Sequence, residues 1–290
     1  MANRTRGEKI FNVCNIGFML VLMFIMVYPL WYVFIASFSN PGDVVRGNVV
    51  LLPIGFELSS LKKVLSMPNI LTAYGNTIFY SVVGTGVNML FTILAAYPLS
   101  KQRLRGRKLV MGMMLFSMWF SAGMLPTYLN YRALGLLDSR LGIIFSWAIS
   151  TFYMILLRTF FENVPDSMEE SAKIDGAKDP LILLKIYLPL SIPALAAITL
   201  YYFVDRWNAY FWSMLLLSTQ SKVPLQVLLR RLIVEVSYNA NEARDLSLNV
   251  TTEKTVVYST IVISVIPMLV LYPFIQRFFV KGIMVGAIKG

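Results

Sequence analysis

Long apolar runs alternate along this chain with short polar segments, and each run is about as long as a membrane is thick. A helix needs about 20 predominantly apolar residues to span the hydrocarbon core of a bilayer. The pattern predicts six such helices, with approximate bounds at residues 13–38, 74–99, 109–130, 141–157, 188–204 and 255–275. The fold class expected is therefore an all-α membrane protein, a bundle of six transmembrane helices.

The first apolar run, between Lys9 and Asp43, is too long for the apolar region of a cleavable signal peptide. It also lacks a clear small-residue cleavage site before the polar segment that follows it. We therefore expect it to remain as a span. This gives a short N-terminal segment, residues 1–12, followed by a single six-helix transmembrane domain over residues 13–290.

The composition agrees with a protein that membrane lipid surrounds. Of the 290 residues, 57% are hydrophobic and 14% are charged, whereas soluble domains carry about 25% charged residues. Histidine is absent and the one cysteine, Cys14, lies in the first apolar run, so no disulfide can form within the chain. The usual general base and the commonest metal ligand are missing, and we expect neither a catalytic site nor a metal site.

Basic residues predict the orientation in the membrane. The net charge is +11, and the positive charges form short clusters between apolar runs, a pattern typical of topology signals rather than of a nucleic-acid surface. The clusters are at the N-terminus, between spans two and three, and at the C-terminus: Arg4, Arg6 and Lys9; Lys101, Arg103, Arg105, Arg107 and Lys108; Arg277, Lys281 and Lys289. Both termini, including a tail at residues 277–290, should be cytoplasmic, and residues 39–73 and 218–254 should face outward.

A polar segment between spans four and five, residues 159–187, departs from this pattern because it is acidic. It contains six of the chain's 15 acidic residues: Glu162, Asp166, Glu169, Glu170, Asp175 and Asp179. The spacing of Ser167 and Glu170 predicts a capping box and a helix over residues 168–175, which Gly176 would end. Asp179 followed by proline predicts the start of a second helix. The segment should therefore form a helix, a sharp turn and a helix, a compact knob that projects from the membrane.

The residues of the knob resemble the signature of permeases of ABC importers, which reads Glu-Ala-Ala, three residues, Gly, about nine residues, Ile-x-Leu-Pro. Here Glu170-Ser171-Ala172 occupies the first three positions, with serine in place of one alanine, and Gly176 and the run Ile186-x-Leu188-Pro189 follow at the expected spacing. The resemblance extends along most of the chain. The runs from Trp207 to Trp212, from Pro224 to Arg230 and from Phe279 to Gly290 are similar to carbohydrate-uptake permeases, namely the maltose-type small permease and the polysaccharide and oligosaccharide branch.

This resemblance implies that the knob is a coupling helix that docks on a separate ATPase subunit. Glu170 would pair with a basic residue there, Gly176 would allow the turn, and Ala172 and Ala177 would let the partner approach closely. The coupling residues carried over are Glu169, Glu170, Ser171, Ala172, Asp175, Gly176, Ala177, Ile186, Leu188 and Pro189. The chain has no Gly-x4-Gly-Lys-Ser/Thr motif, so ATP and magnesium are expected on an ATPase dimer and no cofactor on this chain. A second permease subunit, an extracellular solute-binding protein and a bacterial inner-membrane location complete the expectation.

The fifth span carries the candidate residues of a substrate path: Tyr202, Asp205, Trp207, Asn208 and Tyr210. Ionisable groups at membrane depth normally face a cavity or a partner, and aromatic rings can stack on the apolar faces of sugars. An aromatic belt at the membrane interface is the alternative explanation. Because adjacent helical residues point in different directions, Asp205 and Arg206 are not expected to pair with each other.

Three other functions stay open at this point. The knob signature also occurs in ABC permeases for amino acids, phosphate or polyamines. An ion-coupled secondary transporter would show acids within several spans or repeated broken helices, but only Asp205 is a candidate. A membrane enzyme would need a set of nucleophiles or paired acids at membrane depth. The resemblance of the run beginning at Trp207 and of the C-terminal end favours a carbohydrate.

Overall fold

The computed structural model of the chain describes residues 6–67, 69–242, 254–270 and 273. No β-strand occurs in these ranges. The α-helices, in chain order, are α1 (Arg6–Ser37), α2 (Pro41–Val45), α3 (Ser59–Ser66), α4 (Ile70–Ser100), α5 (Arg107–Trp119), α6 (Met124–Ala133), α7 (Arg140–Phe145), α8 (Thr151–Glu162), α9 (Asp166–Ile174), α10 (Asp179–Ile182), α11 (Leu188–Leu190), α12 (Ile192–Asn208), α13 (Phe211–Leu216), α14 (Leu225–Glu242) and α15 (Lys254–Val270). A π-helix over Leu183–Tyr187 and a 3₁₀ turn over Gln220–Lys222 complete the set.

Two helices are long and apolar enough to cross a membrane without interruption. They are Gly7–Ser37, which forms nearly all of α1, and Ile70–Ser100, which is α4. Two bent pairs also pass the same test when each pair is taken together, and α15 is a shorter apolar helix. The prediction of an all-α membrane protein is confirmed. The predicted C-terminal tail, residues 277–290, lies outside the described residues.

The third predicted span is bent rather than straight. Helices α5 and α6 meet at an angle of 116° across residues 120–123. Gly123 has φ of 84°, a left-handed conformation that glycine adopts without a steric penalty. Pro126 lies in the first turn of α6, where its missing N–H is tolerated. Both residues stand where the apolar pattern alone predicts one continuous helix.

The fourth and fifth predicted spans are interrupted as well. Residues 146–150 separate α7 from α8, and Trp147 there has φ of 49°. The helix that leads out of the knob, Asp179–Leu190, meets α12 at 85°. The two helices are therefore not continuous, because Ser191 leaves the helical conformation between Pro189 and Pro193.

Two compact units make up the described chain. The first comprises residues up to Ile70 together with Leu229–Ile266. Its small core is formed by Ile35, Ala36, Val44 and Val49, with Tyr32 and Tyr258 packed against it. A hydrogen bond of 2.8 Å joins the hydroxyls of Ser60 and Thr255, so α3 and α15 are linked inside this unit.

The second unit contains Leu71–Leu228 and holds both candidate sites. Its larger core brings together buried residues of α4, α8, the π-helix and α12, among them Tyr97, Leu157, Phe161, Tyr187 and Ile198. A second core joins Tyr80 of α4 to Ile143 and Ile144 of α7 and to Leu216 and Val223. The knob packs on the larger of these two cores, and a cavity adjoins the core around Tyr80.

Candidate functional site

The knob, residues 159–187, is built around a sharp turn at Gly176. The Ala177 N–H donates to the Ala172 carbonyl at 2.9 Å, and the Gly176 N–H donates to the Lys173 carbonyl at 3.0 Å. This pair of bonds is the Schellman motif, which requires a left-handed residue after the helix. Gly176 has φ of 80°, so the predicted glycine turn is confirmed.

The helix starts in the knob differ from the predictions. Helix α9 begins at Asp166 after Pro165, and no side chain caps its first turn. The predicted capping box of Ser167 and Glu170 is therefore wrong, because Ser167 already lies inside the helix. Helix α10 begins at Asp179 itself, and a proline lies in its first turn. The preceding residue, Lys178, makes no side-chain hydrogen bond that caps the helix.

Glu169 is the internal anchor of the knob. Its side chain is 5% exposed and accepts bonds from the ammonium groups of Lys101 and Lys173 and from the guanidinium of Arg103. The Tyr187 hydroxyl donates to the same carboxylate at 2.8 Å. The Lys101 ammonium also lies 3.6 Å from the centre of the Tyr187 ring, within range of a cation–π contact. Glu169 therefore lies inside the protein, and the expectation that it contributes to a docking surface is corrected.

This environment keeps Glu169 ionised. Burial alone would raise the pKa of Glu169, but hydrogen bonds from three cations and a tyrosine hydroxyl outweigh burial. The net effect places the pKa of Glu169 well below that of an ordinary glutamate. A charged carboxylate thus ties α9 to the segment that follows α4.

Two further acids of the knob region pair within the chain. Glu162 accepts from Arg107 and, at 2.6 Å, from Arg158. Asp179 accepts from Arg103 at 3.1 Å. The basic segment over residues 101–108 and the acidic segment over residues 159–187 consequently lie on the same side of the spans. Charge pairing between these two segments explains part of the acid cluster that the sequence suggested as a surface for a partner.

The outer face of α9 is a mixed acidic and apolar surface. Glu170, Ser171 and Asp175 are exposed, and Ile174 is 86% exposed. Ala172 and Ala177 do not share this face. They are half-buried and pack against the larger core together with Ile186 and Leu188, so their small size serves packing within the chain and not the approach of a partner. Pro189 is exposed.

A cavity of about 430 Å³ lies between α4, the break that separates α7 from α8, and the end of α12. This volume falls in the range of roughly 300–1,000 Å³ that small-molecule sites occupy. Its walls combine aromatic rings with a few polar groups. The aromatic residues that line it are Tyr80, Trp147, Tyr202, Tyr210, Phe211 and Trp212.

Four of the five residues predicted for a substrate path line this cavity: Tyr202, Asp205, Asn208 and Tyr210. Trp207 does not. Its side chain is 2% exposed and packs on Phe203, with ring centres 6.0 Å apart, and on Tyr74 at 6.1 Å. Trp207 follows Arg206 on a helix, so it points about 100° away from the cavity wall. Its placement on the substrate path is corrected to a packing role.

Asp205 and Arg206 have separate partners, as predicted. Asp205 is exposed in the cavity and accepts from the Tyr153 hydroxyl at 3.0 Å. Arg206 turns toward α4 and α7, and its Nε donates to the Asn88 Oδ1 at 2.9 Å. The Tyr202 hydroxyl, also buried here, lies 2.7 Å from that of Thr92 and accepts from the Ser150 N–H.

Sequence reasoning missed two tryptophans of the cavity. Trp147 is 58% exposed, and its ring centre lies 5.3 Å from that of Trp212. Trp212 was counted among the aromatic residues of the fifth span but not selected for the substrate path, and Trp147 lies within what the pattern predicts as a plain span. A tryptophan flanked by Ser146 and Ser150 in a short apolar run is the one signal that points to a break there.

The sequence matches the protein family described as the inner membrane component of binding-protein-dependent transport systems over residues 88–285. That range includes both the knob and most of the cavity.

Two proteins of Bacillus subtilis (strain 168) are similar over nearly their whole length. The polygalacturonan/rhamnogalacturonan transport system permease protein YtcP is 41% identical, and the alignment covers 98% of this chain and 99% of that protein. Protein LplC is 38% identical, with 99% and 98% covered. A crystal structure of a bacterial ABC transporter involved in the import of the acidic polysaccharide alginate contains a chain that is 40% identical. The TM-score is 0.88, with 96% of this chain and 100% of that one covered.

Proposed function

Because the chain belongs to the family of inner membrane components of binding-protein-dependent transport systems, we propose that it is the permease subunit of an ATP-driven importer for an oligo- or polysaccharide. The observation that carries this proposal is full-length similarity to proteins of that kind. YtcP is named for transport of polygalacturonan and rhamnogalacturonan, and the similar solved transporter imports alginate. Each of these solutes is a polymer of sugars.

The walls of the cavity support a saccharide as the solute. Aromatic rings such as those of Trp147 and Tyr210 offer flat apolar faces to the C–H face of a sugar ring. The Asn208 amide and the exposed Asp205 carboxylate offer hydrogen-bond partners for hydroxyl groups. Few polar groups on largely apolar walls are what a specific small-molecule site requires.

The knob supports coupling to a separate ATPase. Its outer face, defined by Glu170, Ile174 and Asp175, combines an exposed apolar side chain with two carboxylates. That combination suits a groove with basic residues on a partner, where ATP and magnesium would bind. The orientation that follows has the knob and both termini in the cytoplasm, with a second permease subunit beside the chain and a solute-binding protein outside.

The anchor at Glu169 would transmit the movement of the ATPase. Lys101 and Arg103 hold this carboxylate from the segment after α4, while Tyr187 holds it from the helix that leads to α12. A pull on α9 would therefore reach both α4 and α12, and residues of both helices line the cavity.

Uptake by intact cells tests the substrate class. The gene is deleted in its own bacterium and restored on a plasmid, and uptake of labelled oligogalacturonate, alginate and arabinose oligosaccharides is measured. Deletion is expected to lower uptake of at least one of them by about tenfold or more, and the plasmid is expected to restore it. A strain in which all saccharides enter normally, while an amino acid, phosphate or a polyamine no longer does, would contradict the assignment.

A further inference from the structure

Arg206 has an unusual position for an arginine in a saccharide-sized cavity, because all of its donors are used within the protein. A guanidinium has five N–H donors. Nε donates to Asn88 Oδ1 at 2.9 Å. One terminal nitrogen donates to the Ile143 carbonyl at 2.6 Å and to the Ser146 hydroxyl at 3.3 Å. The other donates to the carbonyls of Ile144 at 2.9 Å and of Ser146 at 2.5 Å. No donor remains for a solute.

The acceptors identify what Arg206 does. Ile143, Ile144 and Ser146 lie at the C-terminal end of α7, where the last carbonyls of a helix lack partners within the helix. Where such carbonyls are shielded from water, another group of the protein must supply their hydrogen bonds. A positive charge also interacts favourably with the negative end of a helix. Arg206 therefore caps the end of α7 from a neighbouring helix.

Helix α4 provides the space and a hydrogen-bond partner for this guanidinium. A Cβ atom added at Gly84 would lie 3.0 Å from Nε of Arg206 and 3.1 Å from its Cδ, tighter than most such contacts, so the arginine side chain would have to shift. Asn88, one turn further along the same face, accepts from Arg206 and donates to the Trp147 carbonyl. The sequence pattern suggests helix packing for Gly84 and Gly86. Gly84 instead makes room for a side chain, while a Cβ at Gly86 would meet nothing within 4 Å.

The residue that this arrangement fixes is Trp147. Its φ of 49° lies in the left-handed region, which a tryptophan adopts only when surrounding contacts impose it. Arg206 holds the carbonyl of residue 146 and Asn88 holds that of residue 147. With the backbone held on both sides, the indole faces the cavity and lies against Trp212.

We propose that Arg206 is a positioning residue that, with Gly84 and Asn88, holds the break between α7 and α8 so that Trp147 and Trp212 form a fixed aromatic wall for the solute. That the solute is a saccharide rests on the function proposed above. The alternative role for a cation here, binding the carboxylate of an acidic sugar, is an outcome of the test below.

Fluorine NMR of the purified importer complex measures the position of Trp147 without any solute. The protein is labelled with 5-fluorotryptophan, and the resonance of Trp147 is assigned by its loss in Trp147→Phe. Arg206→Lys, which keeps the charge but cannot make five bonds, is expected to shift or broaden that resonance. Gly84→Ala is expected to do the same, because the added methyl group displaces the guanidinium. Gly86→Ala is the matched control and should leave the resonance unchanged.

Uptake per assembled complex is measured in parallel with oligogalacturonate as the acidic probe and an arabinose oligosaccharide as the neutral one. Arg206→Lys is expected to lower uptake of every transported probe about tenfold, and Asn88→Ala, which retains the arginine, should lower it as well.

If Arg206→Lys leaves both the resonance and uptake unchanged, or if it spares acidic uptake while Arg206→Gln abolishes it, the positioning role is wrong. If Arg206→Lys does not assemble, an unmoved resonance in Gly84→Ala and Asn88→Ala overturns the proposal. A wild-type complex that transports neither probe would count against the proposed function, and the resonance would still decide this inference.

Discussion

Two adjacent carboxylates in the knob have opposite environments. Glu169 is buried among three cations and a tyrosine hydroxyl, whereas Glu170 is exposed on the outer face of α9. Successive residues of a helix point about 100° apart, so one turns into the protein and the other away from it. The internal link belongs to Glu169, and we propose Glu170 for the contact with the ATPase.

Reversing the charge at Glu170 tests this division. Glu170→Lys is expected to lower uptake more than about tenfold, since the loss of an interfacial charge pair costs about 2 kcal/mol or more. The amount of permease in the membrane should stay normal, because the side chain is exposed. The measurement is uptake together with co-purification of the ATPase on a tagged permease.

Glu169→Gln is the matched control, and its main effect should be on the amount of permease rather than on the contact with the ATPase. It leaves cations near Tyr187 without their carboxylate, so the amount of folded permease should fall several-fold. Normal ATPase recovery and normal uptake with Glu170→Lys would exclude the docking role.

The pH dependence of stability follows from the lowered pKa of Glu169. A carboxyl group whose pKa is lowered by folding stabilises the protein fully above its unfolded pKa, about 4.3 for glutamate. This stabilisation is lost only as the pH falls toward the lower folded value. Between pH 7 and 5, the ionisation of Glu169 should therefore not change the thermal midpoint of the purified complex. The difference between wild type and Glu169→Gln should shrink only below about pH 4, and a difference that disappears by pH 6 would contradict the assignment.

At the scale of elements, the breaks in the helices shape both candidate sites. The break between α7 and α8 exposes Trp147, and the turn at Gly176 makes the knob. The apolar pattern predicts where spans lie because hydrophobic length is a property of the sequence alone. It does not predict the break at residues 146–150, because the partner that permits it, Arg206, comes from a helix about 60 residues further along the chain.

The residues of the candidate sites were likewise predictable only where a local pattern determines them. Gly176 was predictable because a glycine after a polar helix has one dominant use. Trp207 was misplaced because the face of α12 that meets the cavity is set by tertiary packing against Tyr74 and Phe203. The internal pairing of Glu169 with Lys101 joins segments 68 residues apart, which no local pattern records.

Two substitutions at the end of α12 distinguish a cavity wall from a packed core. Asn208→Ala is expected to lower uptake per assembled complex about tenfold while leaving the amount of complex unchanged, since Asn208 lines the cavity and is exposed. Trp207→Ala should instead lower the amount of folded complex several-fold, because it leaves a void where a buried indole packs. Uptake normalised to complex should then stay near normal. The opposite pattern for the two variants would return Trp207 to the substrate path.

At the scale of the whole molecule, the proposed function requires one orientation. The knob must lie on the side of the membrane where ATP is, and the ion pairs between Arg107 and Glu162 and between Arg103 and Asp179 put the basic segment on that same side. Basic segments are retained in the cytoplasm. The basic segment and the proposed docking role of the knob thus predict the same orientation.

Labelling of cysteines tests the orientation in intact cells. In a Cys14→Ser background, a cysteine that replaces Arg105 or Lys108 should react with a membrane-impermeant maleimide only after the cells are opened. A cysteine at Asn48 or Ser218, in segments predicted to face outward, should react in intact cells. Labelling of the first pair from outside would overturn the topology and with it the docking role of the knob.

Transport by the purified importer in lipid vesicles tests the central claim most directly. The complex is isolated through a tag on this chain, with its ATPase, second permease and binding protein, and ATP is enclosed in the vesicles. We predict that a labelled oligosaccharide accumulates inside with ATP and not with ADP, that ionophores leave this accumulation unchanged, and that Glu170→Lys abolishes it. Accumulation that proceeds without ATP and stops when an ion gradient is dissipated would contradict the account.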